Sequence, residues 1–194
     1  MFESANSLDA GETQWTLAGA VNPGLNSNAG GSFLGIVDIG LSSNTDLRMR
    51  LERRLEPSAL ISLPFLGNID AALPYTFVEA GAKWSLGRQW AISLPAQLYF
   101  LDQEAGSPMF FLNPRWIWSQ RPAGKAREFT TVLSTMVGIP DDGIEVIPGI
   151  AAGIAMGDRE CMKTRIEMGF NAMSQLTFGF GIQFNTKGLR SESD

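Results

Sequence analysis

The chain has 194 residues, 44% of them hydrophobic and 18% charged, and a formal net charge of −5. The length suits one domain or one small barrel, and the acidic balance without a basic cluster argues against a nucleic-acid partner. The single cysteine, Cys161, excludes an internal disulfide and a cysteine metal cluster, and the lack of histidine removes the commonest general base and metal ligand. No run reaches the roughly eighteen apolar residues of a transmembrane helix, so a membrane location would require strands.

The first predicted strand follows a polar N-terminal lead, residues 1–11. This lead lacks the charged and apolar regions of a signal peptide, so we expect an exported chain whose signal peptide has been removed. At 12–21 the sequence alternates and places Trp15, Leu17 and Val21 on one face. A period of two indicates a β-strand.

The clearest alternation in the chain lies at residues 46–54, after a turn-rich loop at 22–31 and a second strand at 33–41. Aliphatic residues of this third strand share one face and charged residues the other. In a soluble barrel the charged face would meet water, whereas in a membrane barrel it would face the lumen. An ambiguous apolar stretch follows at 56–74, which we interpret as a loop, a plug or an extension of the third strand. Seven more predicted strands come after it, at 75–86, 90–100, 110–118, 128–137, 145–156, 162–170 and 176–184.

The charged side chains of these strands form a nearly neutral set on the faces opposite the aliphatic residues. If these side chains faced lipid, each Arg or Lys near the bilayer centre would raise the free energy of the folded protein by roughly 2 to 4 kcal/mol. The set therefore has to face the lumen or water. We therefore predict a lumen charge lattice of Asp38, Asp46, Arg48, Arg50, Glu52, Arg54, Glu79, Lys83, Arg115, Glu145, Lys163, Arg165 and Glu167.

The aromatic residues segregate toward strand ends, which favours a bilayer over water. Two aromatic girdles separated by aliphatic residues are typical of a membrane-spanning barrel. The predicted interface aromatics are Trp15, Trp84, Trp90, Trp116 and Trp118 at one end and Tyr99, Phe100 and Phe110 at the other.

The stretch 175–184 ends in alternating aromatics, Phe178, Phe180, Ile182 and Phe184, and resembles the C-terminal insertion signal of bacterial outer-membrane β-barrel proteins. Residues 7–12 also look like the mature start of such barrels. The resemblance covers nearly the whole chain as a pattern. It implies an all-β, up-and-down antiparallel transmembrane barrel of about ten strands, formed by 12–184, in the outer membrane. The chain departs from the family in its polar tail, 185–194, and in prolines within predicted strands, Pro95, Pro114 and Pro148.

The function that we expect is a structural, docking or adhesive role for a barrel with a charge-filled lumen. The known membrane enzymes of this class rely on histidine, which is absent, and Glu79 and Glu167 lie among basic residues, so we expect neither an enzyme nor a cofactor. The resemblance implies outer-membrane lipids and the barrel assembly machinery as partners, the latter through the C-terminal strand. Lipopolysaccharide, another protein and a second copy of the chain are further candidate partners.

Two alternatives remain open at this stage. A narrow pore for small solutes is one, because ten strands lie near the size at which side chains fill a barrel. The other is a soluble, lipocalin-like ligand-binding barrel, which would require the Trp, Leu and Phe face to pack inside.

Overall fold

A computed structural model describes residues 3–22, 30–55, 75–101, 108–122, 126–138, 144–157, 162–171 and 176–186. Each predicted strand is present, with ends that differ by at most three residues from the prediction, apart from the one predicted at 110–118, which is split in two. The strands are β1 (Thr13–Asn22), β2 (Gly30–Ser42), β3 (Thr45–Leu55), β4 (Tyr75–Ser85), β5 (Trp90–Leu101), β6 (Met109–Leu112), β7 (Arg115–Gln120), β8 (Arg127–Gly138), β9 (Glu145–Gly157), β10 (Met162–Asn171) and β11 (Leu176–Asn185).

The strands form one closed antiparallel ring. β1 pairs with both β2 and β11, and β4 pairs with both β3 and β5, so the sheet has no free edge among the described strands. β6 and β7 share one position, since each pairs with β5 on one side and β8 on the other. The ring therefore has ten positions, and the predicted ten-stranded up-and-down barrel is confirmed.

The interruption between β6 and β7 falls at Pro114, one of the three prolines in predicted strands. The Asn113 amide donates to the Pro95 carbonyl at 2.9 Å, and the Thr135 amide donates to the Pro114 carbonyl at 3.1 Å. These bonds keep the two short strands in line. Pro95 and Pro148 are accommodated within β5 and β9, so only Pro114 marks a break.

The two ends of the barrel are named here from β1 and β11. The turn end is the end at which β1 begins and β11 ends, and the loop end is the opposite one. At the turn end, the connection between β4 and β5 is a tight turn in which Gly87 has a φ of 112°. The Leu86 amide donates to the Trp90 carbonyl at 2.7 Å and closes this turn.

The barrel is apolar outside and polar inside. Leu17 is 62% exposed and Phe33 66% exposed on the outer surface, whereas Arg48 and Arg165 are only 3% and 1% exposed on the inner one. An apolar exterior around a charged interior is the arrangement of a transmembrane β-barrel. The soluble, lipocalin-like alternative needs the opposite arrangement and is contradicted by these exposures.

Candidate functional site

The candidate functional site is the barrel lumen. Ten of the predicted lattice residues are buried there, and two more, Arg50 and Lys163, are partly buried with inward-facing positions. The ten are Asp38, Asp46, Arg48, Glu52, Arg54, Glu79, Lys83, Arg115, Arg165 and Glu167. Glu145 is the exception: it is exposed at the first position of β9, so its assignment to the lattice is wrong. The strand begins there, and its inward-facing side chains become buried only from Ile147 onward.

The inner charges form pairs between strands. Arg48 of β3 donates from Nε and Nη2 to the two carboxylate oxygens of Asp38 on β2, at 2.6 and 2.8 Å. The two residues lie directly opposite each other in the ladder. A bidentate, charge-assisted pair of this kind combines geometric specificity with a stronger hydrogen bond than a neutral pair provides.

A second pair spans β4 and β7. Arg115 donates from Nη1 to Glu79 Oε1 at 3.1 Å and from Nη2 to Glu79 Oε2. Gln97 Nε2 also donates to Glu79 Oε2, at 2.6 Å. The buried Glu79 carboxylate is therefore held by a cation and an amide, which compensates for its removal from water.

The N-terminal segment, residues 3–9, lies within the turn-end half of the lumen and is named the plug. Its first described residue, Glu3, is fully buried. Glu3 Oε1 accepts from Arg48 Nη1 at 3.0 Å and from Arg115 Nη1 at 2.9 Å, and the Glu3 carbonyl accepts from Arg165 Nη2. Three arginines from three different strands thus converge on one residue.

These arginines are distributed almost evenly around the barrel wall. In the ring, β7 lies three positions from β3, β10 lies three positions from β7, and β3 lies four positions from β10. Because the three cations approach from separate sides, Glu3 lies across the middle of the lumen and does not lean against one wall.

The rest of the plug is held by further bonds to the wall. Lys83 Nζ donates to the carbonyls of Ser4 and Asn6 at 3.0 and 2.8 Å and pairs with Asp46 Oδ2 at 2.7 Å. The Leu8 amide donates to Asp46 Oδ1 at 3.1 Å. Other contacts join Ser4 to Glu128, the Ala5 amide to Ser119 Oγ at 2.9 Å, and the Ala5 carbonyl to Ser85 Oγ at 2.6 Å.

The wall makes room for the plug with small side chains. Ala5 is fully buried and packs in a cluster with Ala91, Ile117, Val132 and Ala151. A lumen of this diameter would be filled by larger inward side chains if nothing else occupied it. The inward face of β9 carries the small residues Gly149, Ala151, Gly153 and Ala155, and this run is a sequence feature that could have indicated an occupant, whereas the plug itself shows no periodic pattern.

The plug leaves the lumen beside β2 and continues into β1. The Gly11 amide donates to the Gly40 carbonyl at 2.8 Å, and the Gly40 amide donates to the Glu12 carbonyl at 2.9 Å. A Cβ added to Gly40 would collide with the carbonyl oxygen of Asp9. Glycine at position 40 therefore allows the plug to run against the wall.

The five tryptophans of the predicted girdle lie on the outer face at the turn end, on β1, β4, β5 and β7. Trp15, Trp84, Trp90 and Trp116 are each at least 40% exposed, and Trp118 lies on the outer face beside Trp90 with ring centroids 6.3 Å apart. At the loop end, Phe100 and Phe110 point outward with 43% and 49% exposure.

Tyr99 does not belong to the loop-end girdle, and this prediction is wrong. It shares the inward parity of Gln97 and lies in an inner aromatic cluster formed by Tyr75, Phe77, Tyr99 and Phe111. The centroid of the Tyr99 ring lies 4.7 Å from that of Phe77 and 5.5 Å from those of Tyr75 and Phe111. Grouping aromatics by depth alone overlooked the face on which each one lies.

The residues of the predicted insertion signal lie on the outer face of β11. Phe178, Phe180 and Phe184 are 43%, 53% and 38% exposed, and Ile182 alternates with the buried Gly181 and Gln183. β11 pairs with β1 and closes the ring. The ambiguous stretch 56–74, Cys161 and the tail beyond Thr186 lie outside the described residues.

In the described part of the chain, no helix is long and apolar enough to cross a membrane. Among the same residues, no group of three or more Cys, Asp or Glu side chains is placed to hold a metal ion.

Comparisons with known proteins give likenesses to solved structures only. No family model matches the chain, and no curated protein matches it. The alignment with the KdgM porin covers 89% of this chain and 98% of the porin chain, with 7% identity and a TM-score of 0.45. The N-terminal β-barrel domain of Pseudomonas aeruginosa OprF covers 92% and 99%, with 8% identity and a TM-score of 0.40. A barrel described under de novo design of transmembrane β-barrels covers 92% and 98%, with 10% identity and a TM-score of 0.40. The closed ten-position ladder of the chain itself, with its apolar exterior and charged interior, makes it a β-barrel of the transmembrane type.

Proposed function

We propose that this protein is an outer-membrane barrel that does not conduct, because its own N-terminal segment seals the lumen, and that its role is structural, docking or adhesive. The observation that carries the proposal is the position of Glu3. It is fully buried and joined to arginines from three sides of the wall. An ion network that crosses the centre of the lumen obstructs passage at that level.

Neutralisation of the lumen charges supports a structural role over a selective channel. Arg48, Arg115 and Lys83 each have a carboxylate partner within 3.0 Å or less. Pores that select ions keep rings of charge available to the permeating ion. Here the cations are engaged by the wall and by the plug.

The outer surface supports contact with lipid and assembly through the last strand. The apolar belt includes Leu17, Phe33 and Phe180, each more than half exposed, and such a surface is stable only in an apolar solvent. We propose that the outward Phe178, Phe180 and Phe184 of β11 are recognised by the barrel assembly machinery. Docking to lipopolysaccharide through divalent cations would use acidic residues of the predicted loops, and these lie outside the described residues: Asp70, Asp102, Glu104, Asp141 and Asp142.

The second candidate function is a narrow pore gated by the plug. A specific observation supports this second function. The plug is not a strand of the sheet, and it is held mainly by hydrogen bonds between its backbone and side chains of the wall. Its release would leave a lumen walled partly by small residues such as Ala91 and Ala151.

Conductance in planar bilayers separates the two functions. We expect no steady current from the full chain and discrete current steps after deletion of residues 1–8. Both proteins are first checked for the gel mobility shift on heating that folded membrane barrels show. Stable steps from the unmodified chain would make it a pore. Absence of current from the deleted chain would show that the wall side chains alone close the lumen.

A further inference from the structure

A cavity of about 170 Å³ lies in the loop-end half of the lumen, beyond the contacts that Glu3 of the plug makes. It is bounded by Arg50 and Glu52 of β3, by the rings of Tyr75, Phe77 and Tyr99, and by polar groups of β5, β6–β7 and β8. None of the described plug residues lines the cavity, which shares Arg115 with the Glu3 contacts, and the proposed sealing of the barrel assigns it no role.

Four polar atoms of its lining residues have no hydrogen-bond partner within the described part of the chain. They are Arg50 Nε, Gln97 Oε1, Asn113 Oδ1 and Arg115 Nε. Gln97, Asn113 and Arg115 are 2%, 6% and 3% exposed. A buried polar group without a partner costs about 1 to 3 kcal/mol, so four around one cavity indicate that something else satisfies them.

The two arginines that line the cavity are already paired with carboxylates. Arg50 pairs with Glu52, and Arg115 pairs with Glu79 and Glu3. The unsatisfied atoms therefore comprise two donors and two acceptors and no surplus charge. An ion would disturb these pairs, whereas a neutral molecule with hydroxyl groups can both accept from the arginines and donate to the amide oxygens.

The aromatic rings add a second requirement. Tyr75 and Tyr99 line the cavity with ring centroids 5.5 Å apart and an interplanar angle of 63°. An aromatic face is electron-rich and attracts the partly positive C–H groups of a saturated ring. A neutral molecule that carries hydroxyl groups around a saturated ring and presents C–H groups on its faces is a sugar.

From this combination we propose that the loop-end cavity binds a small neutral polyol of the size of one pyranose ring. The donors Arg50 and Arg115 and the acceptors Gln97 and Asn113 hold its hydroxyl groups, and the tyrosine rings contact its C–H face. The site accounts together for the four unsatisfied atoms that surround this cavity.

The test uses the full chain in detergent micelles, labelled with ¹³C at the methionine methyl groups. Met136 lines the cavity, whereas Met162 is half exposed on the outer surface near the turn end and serves as an internal reference. Methyl β-D-glucopyranoside is titrated as the neutral probe, and D-glucuronate as its anionic counterpart. We expect a saturable shift of the Met136 signal at millimolar glucoside and no shift of the Met162 signal.

The blocking variant is Ser134→Leu, because Ser134 lines the same cavity and a larger side chain there occupies its volume. The matched control is Thr135→Leu, one position along β8 on the opposite face. We expect at least a tenfold weaker response in Ser134→Leu and an unchanged one in Thr135→Leu. If Ser134→Leu does not fold, as judged by gel mobility on heating, the smaller Ser134→Val replaces it.

Three outcomes would overturn the proposal. The first is a Met136 signal that does not move with the glucoside, which would leave the cavity to ordered water. The second is a response to glucuronate alone, which would indicate an anion site. The third is an equal glucoside response in the parent and in the cavity-filling variant, which would place binding elsewhere.

Discussion

The Glu3 carboxylate lies 2.9 Å from the Arg115 guanidinium, although 112 residues separate the two in the chain. Glu3 is fully buried and also contacts Arg48. Through this contact the N-terminal segment, which precedes β1, is bonded to β7 on the other side of the barrel. The segment is therefore part of the barrel interior.

Replacing Glu3 with Ala is expected to lower the free energy of unfolding by about 2 to 3 kcal/mol, the range for hydrogen bonds to charged groups. The loss is smaller than for an isolated buried pair, because Arg48 keeps Asp38 and Arg115 keeps Glu79. Urea titration in micelles measures it. Glu145→Ala, at an exposed acidic residue of β9, is the matched control and should change the free energy of unfolding little. Equal losses in the two variants would contradict the role of Glu3.

Replacing Gly40 with Ala is expected to displace the plug without opening the barrel wall. The added Cβ would collide with the Asp9 carbonyl, which cannot move without pulling the plug from β2. Limited proteolysis should then cleave within residues 3–9 several times faster than in the parent. Gly35→Ala tests the same strand at a position where an added Cβ meets only Leu17, at 4.0 Å. Faster cleavage in Gly35→Ala as well would indicate general loosening of β2.

Arg50 and Arg53 lie three residues apart on β3 but face opposite ways. Arg50 pairs with Glu52 and lies 5.0 Å from the Phe77 ring centroid inside, whereas Arg53 is exposed and donates to Thr76 Oγ1 at 2.9 Å. Arg50→Leu leaves Glu52 without its partner, so we expect a loss of roughly 3 to 5 kcal/mol, as for other broken buried pairs. Arg53→Leu should be nearly neutral in the same unfolding titration. Similar effects from both substitutions would show that residues of β3 have been assigned to the wrong faces of the sheet.

The free-energy cost of introducing a charge on the outer surface should depend on its depth in the bilayer. Leu17 lies in the middle of β1, and Leu17→Arg is expected to cost about 2 to 4 kcal/mol in a lipid bilayer. Phe33 lies near the loop end of β2, where Phe33→Arg should cost at most about 1 kcal/mol. Folding titrations into liposomes measure both. A larger loss at Phe33 would place the bilayer at a different height on the barrel.

Alternation of residue types was enough to predict the ring and the facing of most lumen charges. A period of two assigns Arg48 and Leu51 to opposite faces without knowledge of any neighbour. The same rule also assigned Glu145 inward, but it carries no information on where the wall stops covering a side chain. Tyr99 was misplaced for a different reason: its depth suggested a girdle, while its parity with Gln97 required the lumen.

The plug could not have been predicted in this way. Residues 3–9 form no strand, and their partners are spread over β3, β4, β7 and β10. No local rule connects Glu3 with Arg48, Arg115 and Arg165. The buried alanines at 91, 151 and 155 leave spare volume in the lumen, but spare volume does not identify its occupant.

The even spacing of the three arginines around Glu3 has a consequence for the order of folding. No single hairpin contains two of them, so the full set of contacts forms only when distant strands have come together. Because the loop-closure entropy of such long separations has to be paid first, we expect these contacts to form late and to contribute little to the folding transition state. Loss of Glu3 should therefore accelerate unfolding while leaving the rate of folding nearly unchanged. We therefore expect the N-terminal segment to dock after the barrel has formed and to slow its unfolding.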